Sequence, residues 1–285
     1  MPAITIGGRR GAALELASPV LVAAGCFGRG VRQQQPWLRG VGALVTHTIT
    51  PEPRGRGAFP LVREASAGLL YATGWPNHGF VRELADGVAA WAALVSPVIV
   101  SLAAGDARML AEMAAELDGA SAAAAIELPF DQAGAAAEPA EISRHVAAVT
   151  AVTALPVIAK LAPVPAPLAA AHAAFAAGAD AVCVAQGWPA AWPGATSEAL
   201  LLAGPAIAPL TLRLVTELAQ AGLTPLIGCG GVDSVSAARA CLAAGACAVQ
   251  IGSALFREPA LAVRVATELA AEEVPERSGD PAGQP

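Results

Sequence analysis

Lysine is almost absent from this chain: one, Lys160, stands against sixteen arginines. Other chemistry-bearing residues are sparse in instructive ways. The five cysteines, Cys26, Cys183, Cys229, Cys241 and Cys247, are odd in number, lack CxxC spacing and mostly sit in apolar runs. That excludes a zinc or disulfide framework and reads as reduced, small apolar side chains. The four histidines, His47, His78, His145 and His172, form no HExxH or i, i+4 pair, so no metal is expected. Net charge is −6 with no basic stripe, which argues against nucleic acid. No uninterrupted apolar stretch is long enough to span a membrane, and residues 1–10 lack the basic-then-apolar order of a signal peptide. The expectation is a soluble, cytoplasmic protein that acts on a small molecule and has no membrane partner. No linker or charge run divides the sequence, so a single domain is expected over residues 1–271. The charged, Pro- and Gly-containing residues 272–285 are read as a disordered tail.

What the chain does have is apolar residues, 55% of the total, arranged in a repeating order. Short, nearly continuous apolar runs occupy residues 19–25, 43–48, 97–103, 123–129, 156–162, 181–186, 224–230 and 248–254. Continuous rather than alternating hydrophobicity marks strands covered on both faces. Ala-rich helical stretches follow them at residues 32–39, 81–94, 107–117, 138–150, 167–177, 205–221, 234–244 and 259–272. Eight strands each followed by a helix predict an α/β fold, a single (β/α)8 barrel. Residues 3–16, with GGRRG between two strand-like pieces, predict a hairpin capping the barrel floor. Residues 50–77, rich in Pro, Gly and Arg, form an insertion after the second strand, where long connections build the wall of an active site.

Lys160 lies inside the fifth apolar run, PVIAKLA. In a chain that otherwise places positive charge on Arg, a retained ammonium suggests a compact, tunable charge, the alternative being a head that snorkels out at a strand end. The seventh strand runs into Gly228-Cys229-Gly230-Gly231 and the eighth into Gly252-Ser253. Glycines at both strand ends, each leading to a helix, expose backbone N–H groups where such barrels bind phosphate.

Seven blocks then resemble, in order, the dihydroorotate dehydrogenase family of FMN-binding barrels: SPVLVAAGCFG at 18–28, GALVTHTITP at 42–51, GLLYATGWPN at 68–77, VIAKLAP at 157–163, LAGPAIAP at 202–209, PLIGCGG at 225–231 and AVQIGSA at 248–254. The match extends to about residue 270 and is best to the branch without an N-terminal membrane-associating extension. The resemblance implies FMN, with Ala24 and Gly25 along the flavin, Thr48 and Ser101 in contact with it, and Gly204 behind it. Gly230, Gly231, Gly252 and Ser253 would take its phosphate, and Lys160 would face its pyrimidine end, stabilising charge that develops on reduction. It also implies a homodimer, with an iron–sulfur electron-transfer subunit as a further possible partner.

The chain departs from the family on the substrate side. The family's loop after the fourth strand reads Asn-x-Ser-Cys-Pro-Asn, with Cys or Ser as base. Here Pro129 stands at the first Asn, Gln132 at the base and Gly134 at the last Asn. His47 replaces an expected Lys, Tyr71 an Asn, and Gln186-Gly187 an Asn-Thr pair. Glutamine has no useful basicity, so Asp131 and His47 become the alternative proton-transfer candidates. The substrate pocket is expected to comprise His47, Tyr71, Trp75, Asn77, Phe130, Gln132 and Gln186, more aromatic with Trp188 and Trp192 nearby. Glu127 is read as a strand-4 carboxylate facing the mouth or a partner for Lys160. These departures lead to the expectation of an FMN-dependent oxidoreductase acting on CH–CH groups with a remodelled pocket, not using dihydroorotate. The alternatives are a true dihydroorotate dehydrogenase, a Schiff-base aldolase or synthase using Lys160, and a non-catalytic flavin-binding relative.

Overall fold

The computed structural model describes residues 4–28, 31–55, 62–72, 74–130, 137–163, 166–184, 187–192 and 200–271. Its centre is a closed barrel of eight parallel strands: β3 (Val20–Val22), β4 (Ala43–Val45), β7 (Val98–Ser101), β8 (Ala125–Phe130), β9 (Val157–Leu161), β10 (Ala181–Val184), β13 (Leu226–Cys229) and β14 (Ala248–Ile251), which pairs back to β3. Seven α-helices are described outside it: α1 (Phe80–Ala92), α2 (Ala107–Gly119), α3 (Pro139–Thr150), α4 (Pro167–Ala176), α5 (Ala208–Gln220), α6 (Val235–Ala243) and α7 (Leu261–Ala271). All eight expected strands form. The first expected helix is instead a 3-10 stretch, Val31–Leu38, which contains Pro36. A proline there has no N–H to donate and obstructs a regular α-helix.

Strand alternation sorts the barrel residues into two cores. Outward side chains such as Val100, Leu128, Val182 and Val249 pack under the helices. Inward ones stack in layers, each drawn from every second strand. The lowest layer is Ala43, Ala125, Ala181 and Ala248, and the next is Leu21, Ile99, Ile158 and Ile227. Alanines leave the floor shallow, and the antiparallel hairpin β1 (Ile4–Gly7) and β2 (Ala13–Leu16) fills it with Ile6, Leu14 and Leu16, each at most 2% exposed. Arg10, between the hairpin strands, ties this plug to the barrel: its guanidinium donates to the carbonyls of Gly178 and Leu155 and pairs with Asp180.

Higher in the barrel the inward positions turn polar, with Ser101, Glu127, Lys160 and Gln250 all no more than 1% exposed. Above them lies a four-stranded antiparallel sheet in the order β11 (Trp188–Ala190), β12 (Leu200–Ala203), β6 (Gly68–Ala72), β5 (Val62–Ala65). The insertion after β4 supplies β5 and β6, and the connection after β10 supplies β11 and β12. Two connections from opposite sides of the barrel therefore join over its mouth.

Candidate active site

A cavity of about 600 Å³ lies between the barrel mouth and this sheet. Its floor and sides come from the C-terminal ends of β3 (Ala23 to Cys26), β4 (His47, Thr48), β9 (Lys160), β13 (Cys229 to Val232) and β14 (Gly252, Ser253). Its roof comes from Val62, Leu69, Tyr71 and Ala72 of the sheet, with Trp75, Pro76 and Ala203. The size is that of a cofactor or substrate site. Two glycines show how closely the walls are meant to be approached. Gly25 has φ 78, and a Cβ there would find no atom within 4 Å, so it would stand in open space. Gly231 has φ 74, and its Cβ would come 2.5 Å from the backbone N of Ala208. Glycine thus leaves the turn at Gly25 presenting backbone to the cavity, and at Gly231 lets the turn pack directly on the start of α5.

Lys160 is among the largest fully buried side chains, yet it reaches the cavity. Register explains its partners: Cα pairings set β9 beside β8 and β10, while β14, three strands round the barrel, meets it through the interior. Its Nζ donates to Gln250 Oε1 at 2.7 Å and lies 3.2 Å from Glu127 Oε1, and Gln250 Nε2 donates to Glu127 Oε2 at 2.6 Å. A buried cation is thus matched by a buried carboxylate, with an amide bonded to both, as low-dielectric burial requires. An ammonium paired in this way stabilises charge and is not the neutral amine a Schiff base needs.

His47 lies on the cavity wall with Nε2 3.2 Å from Oε2 of Glu83, a residue of α1 that is 5% exposed. The other Glu83 oxygen accepts the His78 backbone N–H at 2.8 Å. Trp75 is held at φ 46 with Arg54 5.6 Å above its ring. Asn77 secures it: the buried amide donates to the Trp75 carbonyl at 2.8 Å and to Thr50 Oγ1 at 2.9 Å, and its oxygen accepts from Gly79 N at 2.8 Å. Burial pushes the Cys26 thiol up to about 12, so it stays protonated near neutral pH.

Of the ten residues expected to hold the cofactor, Ala24, Gly25, Thr48, Lys160, Gly230, Gly231, Gly252 and Ser253 line this one cavity. Ser101 does not: it is wholly buried beneath Thr48, with the two hydroxyl oxygens 3.0 Å apart. Gly204 closes β12 against Gly68 and stays outside the lining. On the substrate side His47, Tyr71 and Trp75 line the cavity, whereas Asn77 shapes the loop behind it. Phe130 is turned away. Inward Glu127 puts Leu128 and Phe130 on the outer face, where the Phe130 ring meets His145 edge-on at 6.3 Å. Trp192 likewise lies under Arg63, 4.7 Å from ring to guanidinium, rather than in the cavity. Asp131, Gln132 and Gln186 lie outside the described residues. Two partners escaped sequence reasoning. Gln250 is a lone polar residue in an apolar strand, a signal that was available. Glu83 gives no such signal, because only the fold brings α1 against His47.

The family model described as "Dihydroorotate dehydrogenase" matches residues 10–272. The chain is similar to the dihydroorotate dehydrogenase B (NAD(+)) catalytic subunit of Desulforudis audaxviator, 37% identical over 90% of this chain and 89% of the relative. It is similar also to the catalytic subunits of the same name from Pelobacter propionicus, 34% identical over 90% and 89%, and Listeria welshimeri, 31% identical over 90% of each. These findings overturn the expectation of an oxidoreductase that does not use dihydroorotate. That expectation weighed single departures in loops. Phe130 and Trp192 prove to lie outside the cavity, whereas His47 and Tyr71 line it. The oxidoreductase reading itself stands.

Proposed function

The chain belongs to the dihydroorotate dehydrogenase family, and on that premise we propose that it oxidises dihydroorotate to orotate with bound FMN. The observation that carries this reading is the meeting, in one cavity, of the glycine turns ending β13 and β14 with the buried ammonium of Lys160. The turns would hold the phosphate on backbone N–H groups, and Gly25 would let a flat ring lie against β3. Bound flavin supplies a two-electron acceptor. Lys160, fixed by Glu127 and Gln250, places positive charge at the cavity floor, and Tyr71 and Trp75 exclude water from above. The relatives are named as catalytic subunits of an NAD(+)-linked enzyme, which supports a partner subunit that carries electrons onward. Among the described residues no helix is long and apolar enough to cross a membrane, in keeping with a cytoplasmic setting.

The test is anaerobic addition of dihydroorotate to the purified holoprotein. The visible flavin band should bleach and orotate should appear in equal amount. A protein that neither carries nor takes up FMN, or whose flavin dihydroorotate leaves oxidised, overturns the reading.

A further inference from the structure

Dehydrogenation of a CH–CH bond needs an acceptor for a hydride and another for a proton, and the flavin of the proposed reaction takes the first. Resting on that reading, we infer that His47 takes the proton and that Glu83 is its positioning residue. Among the described residues, the titratable side chains lining the cavity are Cys26, His47, Tyr71, Lys160 and Cys229. Cys26 is kept as the thiol by burial. Cys229 is 4% exposed and shares a hydrogen bond with the buried Cys183. Lys160 already carries its proton in the pair with Glu127, and the phenol of Tyr71 is an acid rather than a base at neutral pH. Imidazole is the side chain suited to accept a proton there.

The surroundings of His47 fit that task. Its side chain is 15% exposed, enough to meet a ligand, while the Glu83 carboxylate 3.2 Å from Nε2 is 6% exposed. A buried carboxylate against an imidazole orients the ring and balances the charge it gains with a proton. Glu83 is itself fixed by the His78 backbone N–H, with His78 Nδ1 3.8 Å away. Among the described residues, the charged and titratable groups near His47 are Glu83 of α1 against its ring, His78 just before α1 against Glu83, and Tyr71 of β6 and Lys160 of β9, which line the same cavity. In the reaction one substrate C–H would leave as hydride with its electron pair, for which bound flavin would supply the two-electron acceptor. The neighbouring C–H bond leaves its pair to form the new C=C bond and gives its proton to His47, which releases it to solvent.

The experiment is stopped-flow reduction of the FMN holoprotein by dihydroorotate across pH, with dithionite reduction as a check on the flavin site. In the wild type the rate should rise with pH as the ring loses its proton. His47→Asn should bind FMN and be reduced normally by dithionite, yet be reduced by dihydroorotate about 10²- to 10⁴-fold more slowly. Glu83→Gln should lower the plateau and move the acidic limb to lower pH, because an amide no longer stabilises the protonated ring. Wild-type flavin that dihydroorotate cannot bleach overturns the parent reading, and the inference with it. A bleached wild type whose His47→Asn variant matches it in rate and pH profile overturns the inference alone, as does an unmoved limb in Glu83→Gln.

Discussion

Lys160 shows how one residue can be costly to the fold and central to the site. Its ammonium, the Glu127 carboxylate and the Gln250 amide are joined to one another at 2.6 to 3.2 Å in the barrel interior. Removing one member leaves the others buried without their match. Glu127→Gln should therefore lower unfolding stability by about 3–5 kcal/mol, the usual effect of breaking a buried pair. The triple replacement Lys160→Met, Glu127→Leu, Gln250→Leu should recover most of that loss, because it leaves no orphaned charge, while abolishing flavin reduction by dihydroorotate. Urea unfolding of the two proteins checks the order, and a triple variant less stable than Glu127→Gln would refute it. The same residues mark what was legible at this scale. A lone lysine in an apolar strand announces itself, and Glu127 was legible as a carboxylate that faces the mouth or pairs with it; the structure takes the second of these. The pairing of His47 with Glu83 was not legible, since nothing local to either residue encodes it. The expectation about the substrate rested on single departures, of which His47 and Tyr71 do line the cavity, and it was overturned by the match over nearly the whole chain rather than by any one side chain.

Elements were more legible than contacts. Each of the eight barrel strands is buried on both faces, so each appears as a continuous apolar run, and most of the helices between them carry the one-sided pattern expected of a surface layer, the Ala-rich α4 being the exception. The roof was not legible. Its strands are only three to five residues long and pair between segments some 130 residues apart, as in Leu202 with Leu70. The hairpin was foreseen, and its packing supplies a prediction. Leu14 is 1% exposed beneath the lowest layer of four alanines, which cannot close around a void. Leu14→Ala should cost about 2–5 kcal/mol, as for other core leucines. Arg10→Ala should cost about 1.5–3 kcal/mol through lost charge-assisted hydrogen bonds. It should do so without altering flavin content, because the plug lies at the end of the barrel opposite the cavity. Thermal unfolding with flavin absorbance read in parallel would test both, and loss of flavin in a folded Arg10→Ala protein would show the two ends to be coupled.

For the molecule as a whole, the chain carries an unusual set of buried and half-buried thiols, and these bias its response to pH. Burial pushes Cys26 from 9.0 up to about 12 and Cys241 and Cys247 up to about 11, and holds Cys183 well above its ordinary value. In the unfolded chain the same thiols ionise near 9.0. Between roughly pH 9 and pH 11–12 the folded protein therefore keeps protons that the unfolded one has released. Stability falls with rising pH wherever the native state binds more protons, so the thiols add their full share below pH 9 and lose it progressively above. Urea midpoints should hold steady through the neutral range and decline steadily once pH passes 9. Replacing Cys26, Cys241 and Cys247 together with Ala should lower the neutral-pH midpoint, because buried atoms are removed, yet flatten the alkaline decline. A variant whose midpoint falls as steeply as that of the wild type would show that other groups, not the thiols, set the alkaline limit.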